Sequence, residues 1–391
     1  MKIAILGRGT VGSGVDKIIA DGQTPFLKSL SVKSIFVREN KINLDPRNTA
    51  NYADILNDPD IDLVVETLGG LEPSHSMIVE ALNHGKNVVT ANKAVVARHI
   101  QEFTQLAREN NVKFYFESAV GGGIPWIINL ERALRIDEID SIHGIFNGTS
   151  NFILDQMTKT GASFDSVLAE AQKLGYAEAD SSADIDGYDI ENKLCISADI
   201  AYNTVVEPGA DLLKFGIRNI TAADIAYFKE HGWVVKLLGR SFRRVDQFNF
   251  VVEPTLFAPG QIEAGVHDNY NYVGLRGTTI GKLTFNGQGA GMLPTAHALV
   301  QDIIDIQVQN DHLDRRFDKQ LNLDNSTKIM DYIVRTDADL APLLPDYKVT
   351  VDGNYWLVKQ INTELIHQTV AKLSGKPFFA CINGGAKHES R

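Results

Sequence analysis

The chain opens on a short apolar run, Ile3-Ala-Ile-Leu6, followed at once by Gly7-Arg8-Gly9-Thr10-Val11-Gly12. Val15, Ile18, Ile19 and Ala20 then recur at helical spacing, so strand, glycine turn and helix come in that order. Residues 31–37, 61–67, 86–90 and 113–117 are further runs of strand length, with a helical pattern through Met77-Ile-Val-Glu-Ala-Leu82 among them. Strands alternating with helices predict a parallel α/β sheet over residues 1–125. Residues 126–308 read as α+β: helices near 125–134, from Phe152 onward and over 164–174, with strand-like segments at 140–146, 233–238, 248–252 and 272–276. A helix over 293–308 is expected to pack back on the first domain. Residues 309–391 form a small α+β tail with four candidate strands, at 329–334, 347–351, 355–359 and 378–382. The tail has one clear helix, 363–373, while the stretch 337–344 offers only a very short one.

Gly175-Tyr-Ala-Glu178-Ala-Asp-Ser-Ser-Ala-Asp184-Ile-Asp-Gly-Tyr-Asp189-Ile-Glu-Asn-Lys193 gathers acidic residues and one lysine before and inside a helix predicted over 189–202. At ~3.6 residues per turn, Ile190, Leu194, Ser197, Ala198 and Ala201 line one side. Glu191, Asn192, Cys195, Asp199 and Asn203 share the other. Asp189 and Lys193 are one turn apart and therefore neighbours. They point close to Ile200, on the apolar side. The pair is either an ordinary surface ion pair or a partly buried Asp–Lys pair lining a cleft. In the second case burial favours the neutral amine, while the carboxylate opposes that and orients the ammonium for proton transfer.

Composition narrows the class. The 391 residues, 44% hydrophobic, suffice for two or three cored domains. No apolar run approaches the ~18 residues of a membrane span. The strand pattern starts at Lys2, with no signal peptide before it. Cys195 and Cys381 alone give no disulfide framework and no zinc cluster, which favours a reducing cytoplasm. A net charge of -11 argues against bulk nucleic-acid binding, so an anionic ligand needs local positive groups. His143 and His297 lack a His or Cys partner at ligand spacing and read as structural.

A strand, then G-x-G-x-x-G, then a helix is the setting of a dinucleotide fingerprint. Gly7 makes the tight turn, Gly9 admits the pyrophosphate, Gly12 packs helix on strand, and the phosphates meet the helix N-terminus beside Thr10 and Val11. Thr67 closes a buried strand next to this site. Arg38 ends the second strand, where an acid would bind the ribose 2′-hydroxyl of NAD and an arginine suits the 2′-phosphate of NADP. The choice is therefore NADP, with NAD use open because Glu39 is adjacent; Arg38 as a solvated loop residue is the other reading. Lys93, in Ala91-Asn92-Lys93, lies beyond the carboxyl end of a strand, where ligands bind in open α/β sheets. Without a ligand it is a loop lysine. Glycine-rich loops at 121–123 and 287–291 suit close backbone approach.

The motifs Gly7-Arg-Gly-Thr-Val-Gly12, Thr90-Ala-Asn-Lys93, Val120-Gly-Gly-Gly-Ile-Pro125, Asn147-Gly-Thr-Ser-Asn-Phe-Ile-Leu154, Leu174-Gly-Tyr-Ala-Glu178 through Lys193, and Gly289-Ala-Gly-Met-Leu-Pro-Thr295 resemble homoserine dehydrogenase, in family order. The resemblance implies interconversion of L-homoserine and L-aspartate 4-semialdehyde with NAD(P), in threonine and methionine biosynthesis, by a homodimer. It implies proton transfer by Lys193 supported by Asp189, homoserine binding by Glu178, Asp184 and Thr149, and Lys93 between nicotinamide and substrate. Gly175 and Gly291 would lie near the cofactor. A monovalent cation, sodium, would be held through oxygens matching Glu117, Val120, Gly122 and Ile124. Ser181-Ser182 departs from the Pro-Thr usual there. The tail resembles a degenerate ACT domain, without the full first helix or its preceding glycine turn. Two other readings stand beside this one: another Rossmann-type dehydrogenase, and a non-catalytic NAD(P)-binding regulator. A phosphorylating aldehyde dehydrogenase would need a thiolate nucleophile that neither cysteine is placed to supply.

Overall fold

The structure is a computed structural model and describes residues 1–383. The described residues divide into two compact units, one of 1–138, 195–208 and 287–319, the other of 139–194, 209–286 and the chain from 320 onward to 383. The helix Tyr188–Tyr202 is shared, its first half in the second unit and its second half in the first.

The first unit is built on a six-stranded parallel sheet. Its strands are, in spatial order, Asn48–Thr49, Ser31–Phe36, Lys2–Leu6, Leu63–Glu66, Asn87–Thr90 and Phe114–Tyr115. This 3-2-1-4-5-6 order is the Rossmann arrangement, with its reversal point between the first and fourth strands in sequence. The central strands lie buried on both faces, which is why they read as continuous apolar runs. Ile3, Ile5, Val15, Leu63, Val65 and Val89 share one core with Leu299, Val300 and Ile303 of the helix Met292–Val308. Each such side chain contributes ~1.5–3 kcal/mol by leaving water. The late helix thus packs on the nucleotide-binding sheet. Two expectations shift. The strand over 113–117 shrinks to Phe114–Tyr115, because the chain turns at Glu117–Ala119 into a 3-10 helix. The strand Gly281–Gln288, which runs into the glycine loop at 287–291, is not among the strand-like segments expected for residues 126–308.

The second unit is a mixed sheet. Its order is Gly281–Gln288, Tyr270–Gly277, Ile139–Ile145, Val234–Arg244, Gln247–Phe257, Phe378–Ile382, Ile329–Arg335, Tyr355–Asn362, Lys348–Asp352. The hairpin Val234–Arg244 with Gln247–Phe257 is its centre and is buried along nearly its whole length. The last four strands are antiparallel to one another and join this hairpin through a parallel pair, Thr255 opposite Cys381. Gly239 sits in the hairpin where a Cβ would come within 2.7 Å of Ile190 and 3.3 Å of Phe146. The missing side chain lets the start of the Tyr188–Tyr202 helix lie close on the sheet.

That helix corrects the two-sided reading. Its supposed polar side is buried too: Glu191, Cys195 and Asp199 are all enclosed. Glu191 pairs with Lys214 at 2.8 Å, and Asp199 accepts from the Val206 backbone N–H at 2.6 Å. Glu191 is satisfied inside the protein, whereas the second Asp199 oxygen has no hydrogen-bond partner and burial raises that carboxyl well above its ordinary value. Among the described residues, no helix is long and apolar enough to cross a membrane.

Candidate functional site

In the first unit the glycine turn has the geometry of a phosphate cradle. Gly7 takes φ +98°, and the helix Thr10–Asp21 starts immediately after Gly9. A Cβ on Gly12 would stand 2.0 Å from the Gly7 carbonyl, so only glycine fits there. A Cβ on Gly9 would meet nothing within 4 Å, leaving room for a ligand at the helix N-terminus. Thr67 donates its hydroxyl to Leu6 O at 2.9 Å, with Gly7 O 3.1 Å away, and so holds the turn itself. Thr10 is exposed on the first turn of the helix, and Val11 beside it is partly buried against the core. Arg38 is exposed just past the strand Ser31–Phe36.

Lys93 is the first residue of the helix Lys93–Glu109, capped by Asn92. The organiser here is Glu66, fully buried at the end of its strand and absent from the candidates drawn from sequence. Its carboxylate accepts from Leu68 N, Gly69 N, Ser74 Oγ and Thr90 Oγ1. Asn92 then donates to Gly70 O at 2.7 Å, so the loops before both helices are tied together beside Lys93.

The residues matched to a cation site lie on the loop after Phe114–Tyr115. Gly121 and Gly122 have positive φ there. Glu117 is buried, and its two carboxylate oxygens accept from Ile127 N and Ile128 N at 2.8 Å each. Burial pushes its carboxyl up to about 7 against those N–H bonds. Its backbone N–H donates to the buried carboxylate of Asp302. The backbone carbonyls of this loop, beside the buried Glu117 and Asp302 carboxyls, are hard oxygens of the kind a monovalent cation takes. Gly291 has φ +115° and caps the helix Met292–Val308.

In the second unit the acidic stretch and Lys193 do come together. Lys193 Nζ donates to Phe146 O at 2.7 Å and to Asp189 Oδ2 at 2.8 Å, and both side chains are buried. The surface-pair reading fails. Asn147, named in the sequence only as part of a polar turn, is the hub. Its Oδ1 caps the helix Gly148–Thr160 by accepting from Ser150 N at 2.7 Å. Its Nδ2 donates to Asp189 Oδ2 at 2.9 Å and Asp184 Oδ1 at 2.6 Å. The Phe146 carbonyl also accepts from Asn271 Nδ2 at 2.8 Å. One ammonium and two carboxylates are thereby fixed around a strand end and a helix N-terminus. Lys236, buried beneath the same helix, donates to Asn151 Oδ1 and Val266 O, and burial lowers its pKa to about 8.

Thr149 donates to Tyr176 O at 2.6 Å, tying the helix to the loop that follows Phe164–Lys173. Gly175 ends that helix at φ +78°, and a Cβ there would meet nothing within 4 Å. Glu178 is exposed on this loop, where its backbone carbonyl accepts from Gln172 Nε2. The structure therefore clusters Asp184, Asp189 and Lys193, and leaves Glu178 on the loop above them in sequence.

Such a buried lysine can pass a proton to and from an alcohol, and the glycine cradle can hold a dinucleotide. Known proteins combine the two. Residues 7–117 match the NAD-binding domain of homoserine dehydrogenase, and residues 125–304 match homoserine dehydrogenase itself. A homoserine dehydrogenase of Synechocystis is 45% identical over 317 residues, covering 78% of this chain and 73% of that protein. The crystal structure of a homoserine dehydrogenase from Thiobacillus denitrificans superposes with a TM-score of 0.86 at 31% identity, covering 98% of each chain. A hyperthermophilic archaeal homoserine dehydrogenase mutant, solved in complex with NADPH, superposes with a TM-score of 0.67 at 27% identity, covering 80% of this chain and 99% of its own. This chain belongs to the homoserine dehydrogenase family.

Proposed function

We propose that Lys193 exchanges the hydroxyl proton as L-homoserine and L-aspartate 4-semialdehyde are interconverted. The observation that carries this is the Lys193 ammonium held between Phe146 O and a buried Asp189 that Asn147 locks in place. In oxidation, the O–H proton passes to neutral Lys193 as hydride leaves the adjacent carbon; in reduction, charged Lys193 returns it. A bound nicotinamide cofactor supplies the hydride acceptor or donor. Asp189 orients the amine, and Asp184, with Glu178 brought in from its loop and Thr149 fixing that loop, receives the polar groups of homoserine. Lys93 acts on the nucleotide side, from the end of its strand, and Gly175 and Gly291 leave room for cofactor. Nicotinamide absorbance with homoserine and each cofactor tests the activity. No change in absorbance with either cofactor would overturn it.

Arg38 is assigned to the 2′-phosphate, which makes NADP the preferred cofactor. Its exposed position past the second strand, and an NADPH complex among its relatives, support this. A charge-assisted hydrogen bond is worth ~1.5–3 kcal/mol, so Arg38→Ala should raise KM for NADP about tenfold or more, with little change for NAD. Equal changes for both cofactors would remove the assignment.

The cation, sodium, is assigned to oxygens of Glu117, Val120, Gly122 and Ile124, where it would offset buried negative charge and stiffen the loop. The cytoplasm is the expected compartment, in keeping with two free buried cysteines. The active form is assigned as a homodimer. The edge strand Gly281–Gln288 has partly exposed residues along its whole length, a surface a second subunit would cover. Light scattering that gives a 43.0 kDa particle at micromolar concentration would overturn this.

The tail is read as ACT-like. Its four strands lie in the order 4-1-3-2, the ferredoxin-like arrangement, with the helix Thr363–Ala371 between the third and fourth. Where a first helix would cross, there is only the 3-10 turn Ala341–Leu343. That turn provides no row of helix-terminal N–H groups to hold an amino-acid carboxylate. Without a site whose occupancy differs between two states, threonine cannot shift the equilibrium. Initial rates should change less than about twofold in millimolar threonine. Saturable inhibition not competitive with homoserine would show an effector site after all.

A further inference from the structure

Away from the nucleotide cradle, the first unit brings two histidines and a glutamate together on its surface. His75 lies in the first turn of the helix Ser74–Asn83. His99 and Glu102 lie one turn apart on the helix Lys93–Glu109, which packs beside it. Glu102 Oε2 is 2.9 Å from His75 Nε2 and 3.1 Å from His99 Nδ1. One ligand atom from each of the three residues falls within 4.8 Å of the others. The two imidazole rings are 4.1 Å apart, and the Phe103 ring packs 5.6 and 5.7 Å from them. On its outer side, His75 Nδ1 faces Glu72 Oε1 at 3.4 Å. The imidazoles are mostly covered, at 25% and 31% exposed, while Glu102 at 44% opens the cluster to water.

A plain hydrogen-bonded network would need two imidazoles to point at one carboxylate oxygen with their rings in contact. A metal ion explains the same convergence. Zinc–nitrogen bonds of ~2.0–2.1 Å and zinc–oxygen bonds of ~2.0–2.2 Å place neighbouring donors on a tetrahedral ion about 3.3–3.5 Å apart. The two histidine–glutamate separations need only a few tenths of an ångström, and the two imidazole nitrogens lie within 4.8 Å of each other on side chains with room to move. His75 uses Nε2 and its Nδ1 faces a second carboxylate, the usual arrangement that orients a ligating imidazole. Two imidazoles and one carboxylate suit zinc, cobalt or nickel rather than magnesium or calcium, which take oxygens. The cysteine count excluded a thiolate cluster, and this donor set contains no thiolate.

We propose that His75, His99 and Glu102 form a binding site for a divalent transition-metal ion of the zinc class, with water completing its coordination. The ion cross-links the two helices that flank the Glu66 loops. It binds the folded chain and so stabilises it by mass action.

The test uses untagged full-length protein, stripped with chelator and dialysed, and titrated calorimetrically with zinc chloride and separately with nickel chloride. One ion per chain with micromolar affinity is expected in the wild type, together with a higher melting temperature when zinc is added. His99→Ala and His75→Ala should each lose that binding and the zinc-dependent melting shift, while melting like the wild type in chelator. The last comparison separates loss of a ligand from loss of the fold. Absence of saturable binding in the wild type, or equal stoichiometry and affinity in His99→Ala, would overturn the site. If a variant melts early in chelator, Glu102→Gln replaces it, and retention of wild-type affinity there overturns the site equally.

Discussion

Lys193→Ala should lower turnover of homoserine by ~10²-fold or more, with the dissociation constant for NADP nearly unchanged. The expectation rests on position as much as on residue type. The ammonium is buried, anchored on the Phe146 carbonyl, and paired with an Asp189 that Asn147 prevents from swinging away. A surface lysine would not be held this way, since an exposed i,i+4 pair is worth only a few tenths of a kcal/mol. Removing Lys193 also leaves Asp189 buried without its cation, so some stability is lost. A structural role and a chemical role are separated by the pH profile. Oxidation needs the neutral amine, so its rate falls as pH falls, while reduction needs the ammonium and falls as pH rises. Both dependences should disappear from the residual activity of Lys193→Ala if the lysine carries the proton. Lys193→Arg keeps the charge and ion pair but cannot give up its proton near neutrality, so it should be as slow as the alanine variant while melting closer to wild type. Wild-type turnover in either variant would end the assignment.

Much of this site can be read from the chain, for physical reasons that also mark where reading stops. Gly7, Gly9 and Gly12 are legible because a sharp turn between an apolar strand and an apolar helix has few solutions. Asp189 and Lys193 are legible because helical spacing places them side by side. Asn147 is not. Its partners Asp184 and Asp189 are 37 and 42 residues away, and no local period links them. Glu66 is hidden in the same way, since a glutamate ending a strand resembles any solvated terminus until four donors are seen to converge on it. The sealed polar side of Tyr188–Tyr202 was missed because periodicity reports how residues are spaced, not what covers them. Lys214 and the Val206 backbone do the covering, and both lie in later segments. His75 and His99 escaped because they sit on different helices. The four tail strands were visible as apolar runs, but their parallel junction with the central hairpin was not.

A buried charge cluster sits at that junction, and removing one partner of it should be among the largest stability effects in the molecule. Glu253, on the hairpin strand Gln247–Phe257, is fully enclosed. One carboxylate oxygen pairs with Arg240 of the opposing strand and lies 3.2 Å from the Tyr332 hydroxyl; the other is 2.7 Å from His367 Nε2. Arg240 also reaches Cys381 Sγ at 3.3 Å. Glu253 thus joins the central hairpin to one strand and the helix of the tail, and Arg240 reaches a second strand. Burial alone would raise its carboxyl, but the Arg240 charge and the bonds from His367 and Tyr332 outweigh it, and the net shift is downward. A lowered folded value means that the stabilisation is present above the ordinary value of 4.5 and is lost as pH falls below it. Glu253→Leu leaves Arg240 buried with no counter-charge, which costs ~3–5 kcal/mol. At ~2–4 °C per kcal/mol for a unit of this size, melting should fall by roughly 10 °C. The double variant Arg240→Met with Glu253→Leu removes both charges and should recover most of that loss, because desolvation cost and attraction vanish together. Glu253→Gln keeps the shape and removes the charge, so it should fall between wild type and Glu253→Leu. Wild-type melting in Glu253→Leu would show that an unpaired Arg240 is not costly here, and no recovery in the double variant would show that the loss comes from the missing interactions rather than from an uncompensated charge.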